Sequence, residues 1–472
     1  MDTNPASQNP NPPTVYHSIE DALNNPRQVF SLNLSGQTIT QLPPQISGLV
    51  NLRELDLSFC GLPILPAEFS ALINLERLNL YANSLTILPP EIGKLINLRE
   101  LNLTANQLTK LPPEIGNLKA LNKLNLYGNS IIELPSEIGN LTSLTELTLT
   151  TNRLTKLPPE FGNMTSLVRL DISNNPLTTL PPEIINLQNL QNISICFNNL
   201  TQVPPEIMQM TNLRILSLYN NNLTVLSPEI GKLLNLQGLY LSGNKLIKLP
   251  PEIGNLSSLI ELTLFNNQLN ELPTEIGNLT HLTRLDCSNN YIPNLPQEFA
   301  NLKNLIWLGL ANNQFIEIPE TLMRLSHITT LNLASNRISS IPAGIGNLTN
   351  LEDLTLFNNQ ISDLPVEIGL LTHLSRLDLS NNFLRLLPKE LFSLVNLNWF
   401  YLNNNNLSVL PSDIVSLTNL NWFFLHKNNL SQLPSEMMRM QRLTVLDLSD
   451  NPLPQNEQVK IKQLLPSCNI SF

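Results

Sequence analysis

The chain has little of what most chemistry needs. Its four cysteines, Cys60, Cys196, Cys287 and Cys468, are scattered. None are paired near the ends, as the disulfides of a capped secreted chain would be. No apolar stretch approaches the 18 residues that a membrane span requires. The opening MDTNPASQNPNPPTVYHS has no positive segment followed by an apolar run, so no signal peptide is visible. These absences point to a cytoplasmic protein and leave a signal-less secretion route open. No glycine-rich phosphate loop occurs. Lys and Arg number 27 against 37 Asp and Glu, a net charge of −10, and no basic stripe is present, which argues against a nucleic-acid partner. Only three tryptophans occur in 472 residues.

Two of those tryptophans stand in an echo: NLNWFYLNNNNL from Asn396 and NLNWFFLHKNNL from Asn419. Sliding the chain against itself by 23 residues extends the match nearly throughout. The unit reads LxxLxLxxNxLxxLPPEIGNLxx, begins at Val29, Leu52, Leu75 and so on to Leu443, and has no insertion. An uninterrupted period of this length signals a solenoid. Within LxxLxLxx the leucines alternate, which predicts a short strand with one buried face. Stacked units join these strands into one parallel sheet over a continuous leucine core. The unit's asparagine (Asn83, Asn106 and onward to Asn451, with Gln37 and Cys60 in the first two units) falls where the chain leaves the strand. Its amide can donate and accept, so it can satisfy backbone groups that the turn buries. LPPEIGNL then crosses the opposite side. Proline at a first helical position and Glu in the first turn suit a short segment, α or 3₁₀. The acids from Glu68 to Glu436 recur at this place and account for the acidic excess structurally.

These residues resemble the leucine-rich repeat family over about 29–453. The LPPEIGNL wording is similar to the intracellular Ras-group-related branch and to bacterial repeat proteins. The fold class expected is an α/β solenoid, a curved array with a parallel concave β-sheet and short helical or 3₁₀ convex segments. The resemblance implies a protein that binds other proteins on the concave sheet. The ends complete a four-part organisation: a disordered arm over 1–15, a capping helix over 16–28 with Ser18 as N-cap, the array over 29–453, and a cap over 454–472. The last comprises a helix near Gln455–Leu465 and a strand near Asn469–Phe472. With a cap expected at each end, the expectation is a complete protein and a monomer.

The third and fifth positions of each unit point away from the core. At the third stand Glu54, Arg77, Glu100, Lys123, Glu146 and Arg169, alternating in sign, and Glu261–Arg284 and Asp353–Arg376 repeat the device. Neighbouring strands should pair these charges. Trp307, Trp399 and Trp422 hold the same position, and Tyr401 and Phe424 hold the fifth. Trp399, Tyr401, Trp422 and Phe424 thus form a two-by-two outward patch. Tyr81, Tyr127, Tyr219, Tyr240, Phe265 and Phe357 add a sparser trail. Such a patch is either a cross-strand ring ladder or a binding hot spot. The candidate partner-binding residues are Trp307, Trp399, Tyr401, Trp422, Phe424, Phe265, Phe357, Tyr219 and Tyr240.

No catalytic, cofactor or metal site is expected. His281, His327 and His373 share one repeat position two repeats apart, roughly 10 Å, too far to share a metal. Sequons such as Asn140, Asn278 and Asn347 arise from the repeat wording and go unused without a secretory route. The leading reading is a non-enzymatic scaffold holding a protein or peptide on the concave face, in signalling. A secreted or surface-displayed bacterial recognition protein for a host protein or carbohydrate is the alternative. A third reading, an enzyme such as the ubiquitin-ligase effectors that carry a cysteine domain beside such repeats, lacks room for that domain.

Overall fold

A computed structural model describes residues 14–472, so most of the arm expected over 1–15 lies outside the described residues. Its end departs from that expectation: Val15–Tyr16 form a strand paired in parallel with Ser31–Leu32. The chain falls into two compact units, Met1–Asn221 and Asn222–Phe472. In the first, three-residue strands run from Ser31–Asn33 to Ile215–Ser217. In the second they run from Gly238–Tyr240 to Asn469–Ser471. Each repeat supplies one strand, and within each unit neighbours pair in parallel, a register of 23 residues bringing Glu54 beside Arg77 and Trp399 beside Trp422.

The repeat wording explains each segment. The strand centre and its flanking leucines are buried, as at Leu98, Leu101 and Leu103. The LPPEIGNL side folds as five-residue 3₁₀ segments such as Pro113–Asn117, with Pro112 as N-cap, Pro113 opening the segment and Glu114 in the first turn. The 3₁₀ form, not the α form, is therefore what the motif encodes here. Its glycine is a packing requirement. A Cβ on Gly254 would stand 2.5 Å from the carbonyl oxygen of Glu275 in the next repeat.

Three sets of polar side chains fix the turns. The buried asparagine at position nine acts as expected: Asn290 Nδ2 donates to the carbonyls of Leu264 and Cys287, both at 2.9 Å, while its Oδ1 accepts from the Leu269 amide at 2.9 Å. Cys60, in an asparagine place, puts its Sγ 3.2 Å from the Leu34 carbonyl and so reproduces one of these bonds. A second ladder lies just before the first leucine of each unit. Asn97 Nδ2 donates to the Ile73 carbonyl at 2.9 Å, and Asn304 to that of Thr280 at 2.8 Å. His281 and His373 replace this asparagine and donate from Nδ1 to Ser257 and Thr349 carbonyls, both at 2.9 Å. Third, Asn or Asp at position five accepts the amide two residues on, as Asp378 Oδ1 does from Ser380 at 3.0 Å. The residue at position eight is left-handed; it is often Asn, but Phe59 and Phe197 also adopt it, at φ 56° and 51°. Each of these rings meets the next repeat's tyrosine edge-on, Tyr81 and Tyr219.

At the ends, the helix Ile19–Asn24 is capped by the Ser18 side chain and buries Ala22. The helix Gln455–Leu464 buries Ile461, and its Glu457 accepts from the Leu433 amide.

Replacing Asn290 with Leu leaves the two carbonyls and the Leu269 amide buried without partners, and should cost roughly 1–3 kcal/mol. Coupling between nearest repeats keeps the damage local. Hydrogen exchange should accelerate at Leu269 and its neighbours and stay unchanged near Leu103; unaltered protection at Leu269 refutes the role.

Candidate partner-binding face

The strand face is built from positions three and five, whose side chains alternate with the buried strand centre. The charge ladder of the first unit forms only in part. Arg77 pairs with Glu54, and Glu146 pairs with Lys123 at 3.5 Å and Arg169 at 2.7 Å. Glu100 makes no ion pair among the described residues, so the alternation is not satisfied throughout. A neighbouring row at position two adds Glu76 between Arg53 and Arg99, at 3.4 and 3.9 Å. All these groups are partly exposed, so each pair contributes no more than about 0.2–1 kcal/mol.

In the second unit the device meets aromatic rings. Tyr240 donates its hydroxyl to Glu261 at 2.8 Å, Glu261 pairs with Arg284 at 3.2 Å, and the Arg284 guanidinium lies 4.0 Å from the Trp307 ring centre. Four successive strands are thereby linked. Burial and the carboxylate of Glu261 push the Tyr240 phenol up to about 12. Trp307 lies folded along its own strand, which requires Gly309: a Cβ there would meet the indole at 2.6 Å. The expected Asp353–Arg376 pair is absent. Arg376 instead sits 5.3 Å from the Tyr401 ring centre, because the ring on the following strand offers a cation–π contact. Asp353, half-buried, accepts from Thr355 at 3.2 Å. Desolvation raises its carboxyl above the usual range, against a lowering by the Arg376 charge.

The four-ring patch is present, and its rings stack. Trp399 and Trp422 are 4.6 Å apart at 8°, and Tyr401 and Phe424 are 4.8 Å apart at 1°. Beneath them the inward Phe400 and Phe423 stack at 5.5 Å. Separations this close to the strand spacing of about 4.8 Å mean that the ring normals run from strand to strand. The ring edges therefore point away from the sheet. Edges carry the positive end of the ring quadrupole. The indole N–H groups of Trp399 and Trp422 and the Tyr401 hydroxyl make no hydrogen bond among the described residues. The block is thus half-buried and offers donors and ring edges.

Of the remaining candidates, Tyr240 lies on a strand. Tyr219, Phe265 and Phe357 stand two residues beyond the fifth position, past the strand end, as do Tyr81 and Tyr127. They form a separate row and are not brought together with the four-ring block. What the sequence reading missed is the capping role of position five. Tyr401 and Phe424 stand where Asn or Asp caps some strand exits, as at Asp378 and Asp447, and where Ser, Thr or Gly leaves others uncapped; the His426 amide turns to Asn403 Oδ1 at 3.0 Å. The signal was legible in the recurrence of Asn and Asp at that place.

Burial pushes the Cys196 and Cys468 thiols up to about 11, away from thiolate reactivity. Among the described residues, no three His, Cys, Asp or Glu side chains are grouped to hold a metal, and no helix is long and apolar enough to cross a membrane.

The register yields a paired test. Phe400→Ala should lose about 3–5 kcal/mol of stability through a cavity. Trp399→Ala, one residue away and facing outward, should lose far less. Chemical denaturation of the two variants measures both; equal losses contradict the assignment of faces.

Comparison with known proteins gives the family. Leucine-rich repeat models match residues 84–176 as a leucine-rich repeat region, and 51–72, 166–187, 188–246, 281–302, 326–366 and 396–453 as leucine-rich repeats. No curated protein matches the chain. Among solved structures, a leucine-rich repeat protein of Leptospira interrogans is 36% identical over 97% of this chain and 100% of that one, with a TM-score of 0.59. The plant peptide hormone receptor RGFR1 in complex with RGF2 is 32% identical over 94% and 78%, with a TM-score of 0.74. The Arabidopsis receptor kinase HAESA, in complex with the peptide hormone IDA and the co-receptor SERK1, is 32% identical over 89% and 73%, with a TM-score of 0.67. A 23-residue unit repeated in register, with its buried leucines and asparagine ladder, and these matches over nearly the whole length agree: the chain belongs to the leucine-rich repeat family.

Proposed function

We propose that the protein is a non-enzymatic interaction scaffold that holds an extended peptide or protein segment against its strand face, anchored at Trp399, Tyr401, Trp422 and Phe424. The observation that carries this reading is the stacking of rings at the outward positions of two adjacent strands, with their donors left uncovered. The stack presents half-exposed aromatic area with free donors, the composition of a binding hot spot. Peptide carbonyls suit those donors. The outlying Trp307, Tyr240, Phe265, Phe357 and Tyr219 extend the contact in this reading. Solved relatives in complex with peptide hormones support a peptide partner. A carbohydrate partner is less well served, because a sugar stacks on ring faces and most of these are turned to one another.

The proposal places the protein in the cytoplasm as a monomeric adaptor in signalling. The second reading is a secreted or surface-displayed bacterial recognition protein, and the similarity to a bacterial leucine-rich repeat protein supports it. Fractionation of native cells separates the two: protein outside the cytoplasm ends the first.

A random linear peptide library selected on the immobilised protein tests the face. Trp399→Ala with Trp422→Ala should weaken the selected peptides by on the order of 2–4 kcal/mol, with stability little changed. Peptides that bind the double variant with full affinity end the anchor role.

A further inference from the structure

We propose that the strand face between Trp307 and Trp399 seats a lysine or arginine side chain of an extended basic peptide, over Thr330 and between the Trp307 ring and the Asp353 carboxylate. The inference rests on the strand-face reading above and gives it a partner class.

The geometry comes from the register. Trp307 pairs with Thr330, and Thr330 with Asp353, on successive strands. Arg284 covers one face of Trp307 from the preceding strand. The opposite face therefore looks over Thr330, whose side chain is too short to cover an indole. A cation placed there is one strand spacing, about 4.8 Å, from both the ring and the carboxylate. That lies within cation–π range on one side and close to ion-pair contact on the other.

The site is open because its internal cation is elsewhere. In the first unit, Glu54 and Glu146 at the third position hold neighbouring basic groups. Here Arg376 is drawn to the Tyr401 ring, and Asp353 makes no ion pair among the described residues. The half-buried carboxylate is held in a partly desolvated place, and a bound cation would relieve that penalty. Around it, positions three and five from Trp307 to Asp447 carry Asp353, Asp378 and Asp447 against Arg376. The surroundings thus favour a basic strand over an acidic one. The next anchor, the Trp399 block, lies four strands from Trp307, roughly 19 Å. An extended peptide of about six residues spans that distance.

The test titrates the full chain with Ac-(Gly-Arg)3-NH2 at physiological salt. Intrinsic fluorescence reports directly, since all three tryptophans lie on this face. Calorimetry gives the affinity. Binding should be seen with the arginine peptide and not with Ac-(Gly-Glu)3-NH2. The near-isosteric Asp353→Asn should weaken it about fivefold or more, in line with a lost charge-assisted contact, and Thr330→Arg should abolish it by filling the seat. Asp447→Asn, outside the seat, should change it less than about twofold. Absence of binding to the arginine peptide, equal binding of the glutamate peptide, or equal losses from Asp353→Asn and Asp447→Asn overturns the proposal. Library-selected peptides that still depend on Trp399 and Trp422 would then leave the broader function standing; failure of both ends both.

Discussion

One asparagine per repeat decides the address of nearly every other side chain. Its amide, buried beside the strand exit, joins carbonyls of its own and the preceding repeat and holds a backbone amide of the preceding turn, as Asn106 does with Leu103, Leu80 and Leu85. Without it the turn would bury polar backbone unpaired. With it, the chain leaves each strand the same way, and within each unit a 23-residue shift lands on the same place in the next repeat's strand; at the closing strand Val445 meets Asn469. Leucines then meet leucines, and the 3₁₀ segments approach so closely that glycine is needed between them.

This constraint turns single residues into rows. A residue at position three or five has a fixed neighbour on either side, so its energetics depend on what the adjacent repeats place there. Charges at Glu54, Arg77 and Glu146 find partners. Rings at Trp399 and Trp422 find each other. Arg376 lies between an acid and a ring and takes the ring, and Asp353 is left without the partner its neighbour could have been. The stack at Trp399 is also a ladder, which adds rigidity, and a rigid aromatic block loses little entropy when a partner docks. Ladder and proposed binding surface are thus two properties of one arrangement.

The fold was legible because the period is unbroken and each core position repeats as an apolar residue, mostly Leu or Ile. The inward side of Phe400 and the outward side of Trp399 followed from alternation alone. The rotameric choices were not legible. Nothing in the order Asp353, Arg376, Trp399, Tyr401 says that a guanidinium prefers the ring, since that depends on competing contacts at similar distance. Glu100 was read as paired for the same reason. The aromatic trail looked continuous because alternation was carried past the three-residue strands, whereas Tyr219, Phe265 and Phe357 follow the turn. The second asparagine ladder, at Asn97 and Asn304, was in plain view as the recurring Asn-Leu that opens each unit, yet its bond is made on an exposed side where sequence pattern gives no burial cue.

The central claim is that the four-ring block on the strand face contacts the partner. The protein has three tryptophans, so incorporation of 5-fluorotryptophan gives three fluorine resonances, assigned by single substitution. On addition of a library-selected peptide, the Trp399 and Trp422 resonances should shift together and saturate with the binding curve. If binding saturates while both resonances stay in place, the partner lies elsewhere and the block is a ladder alone.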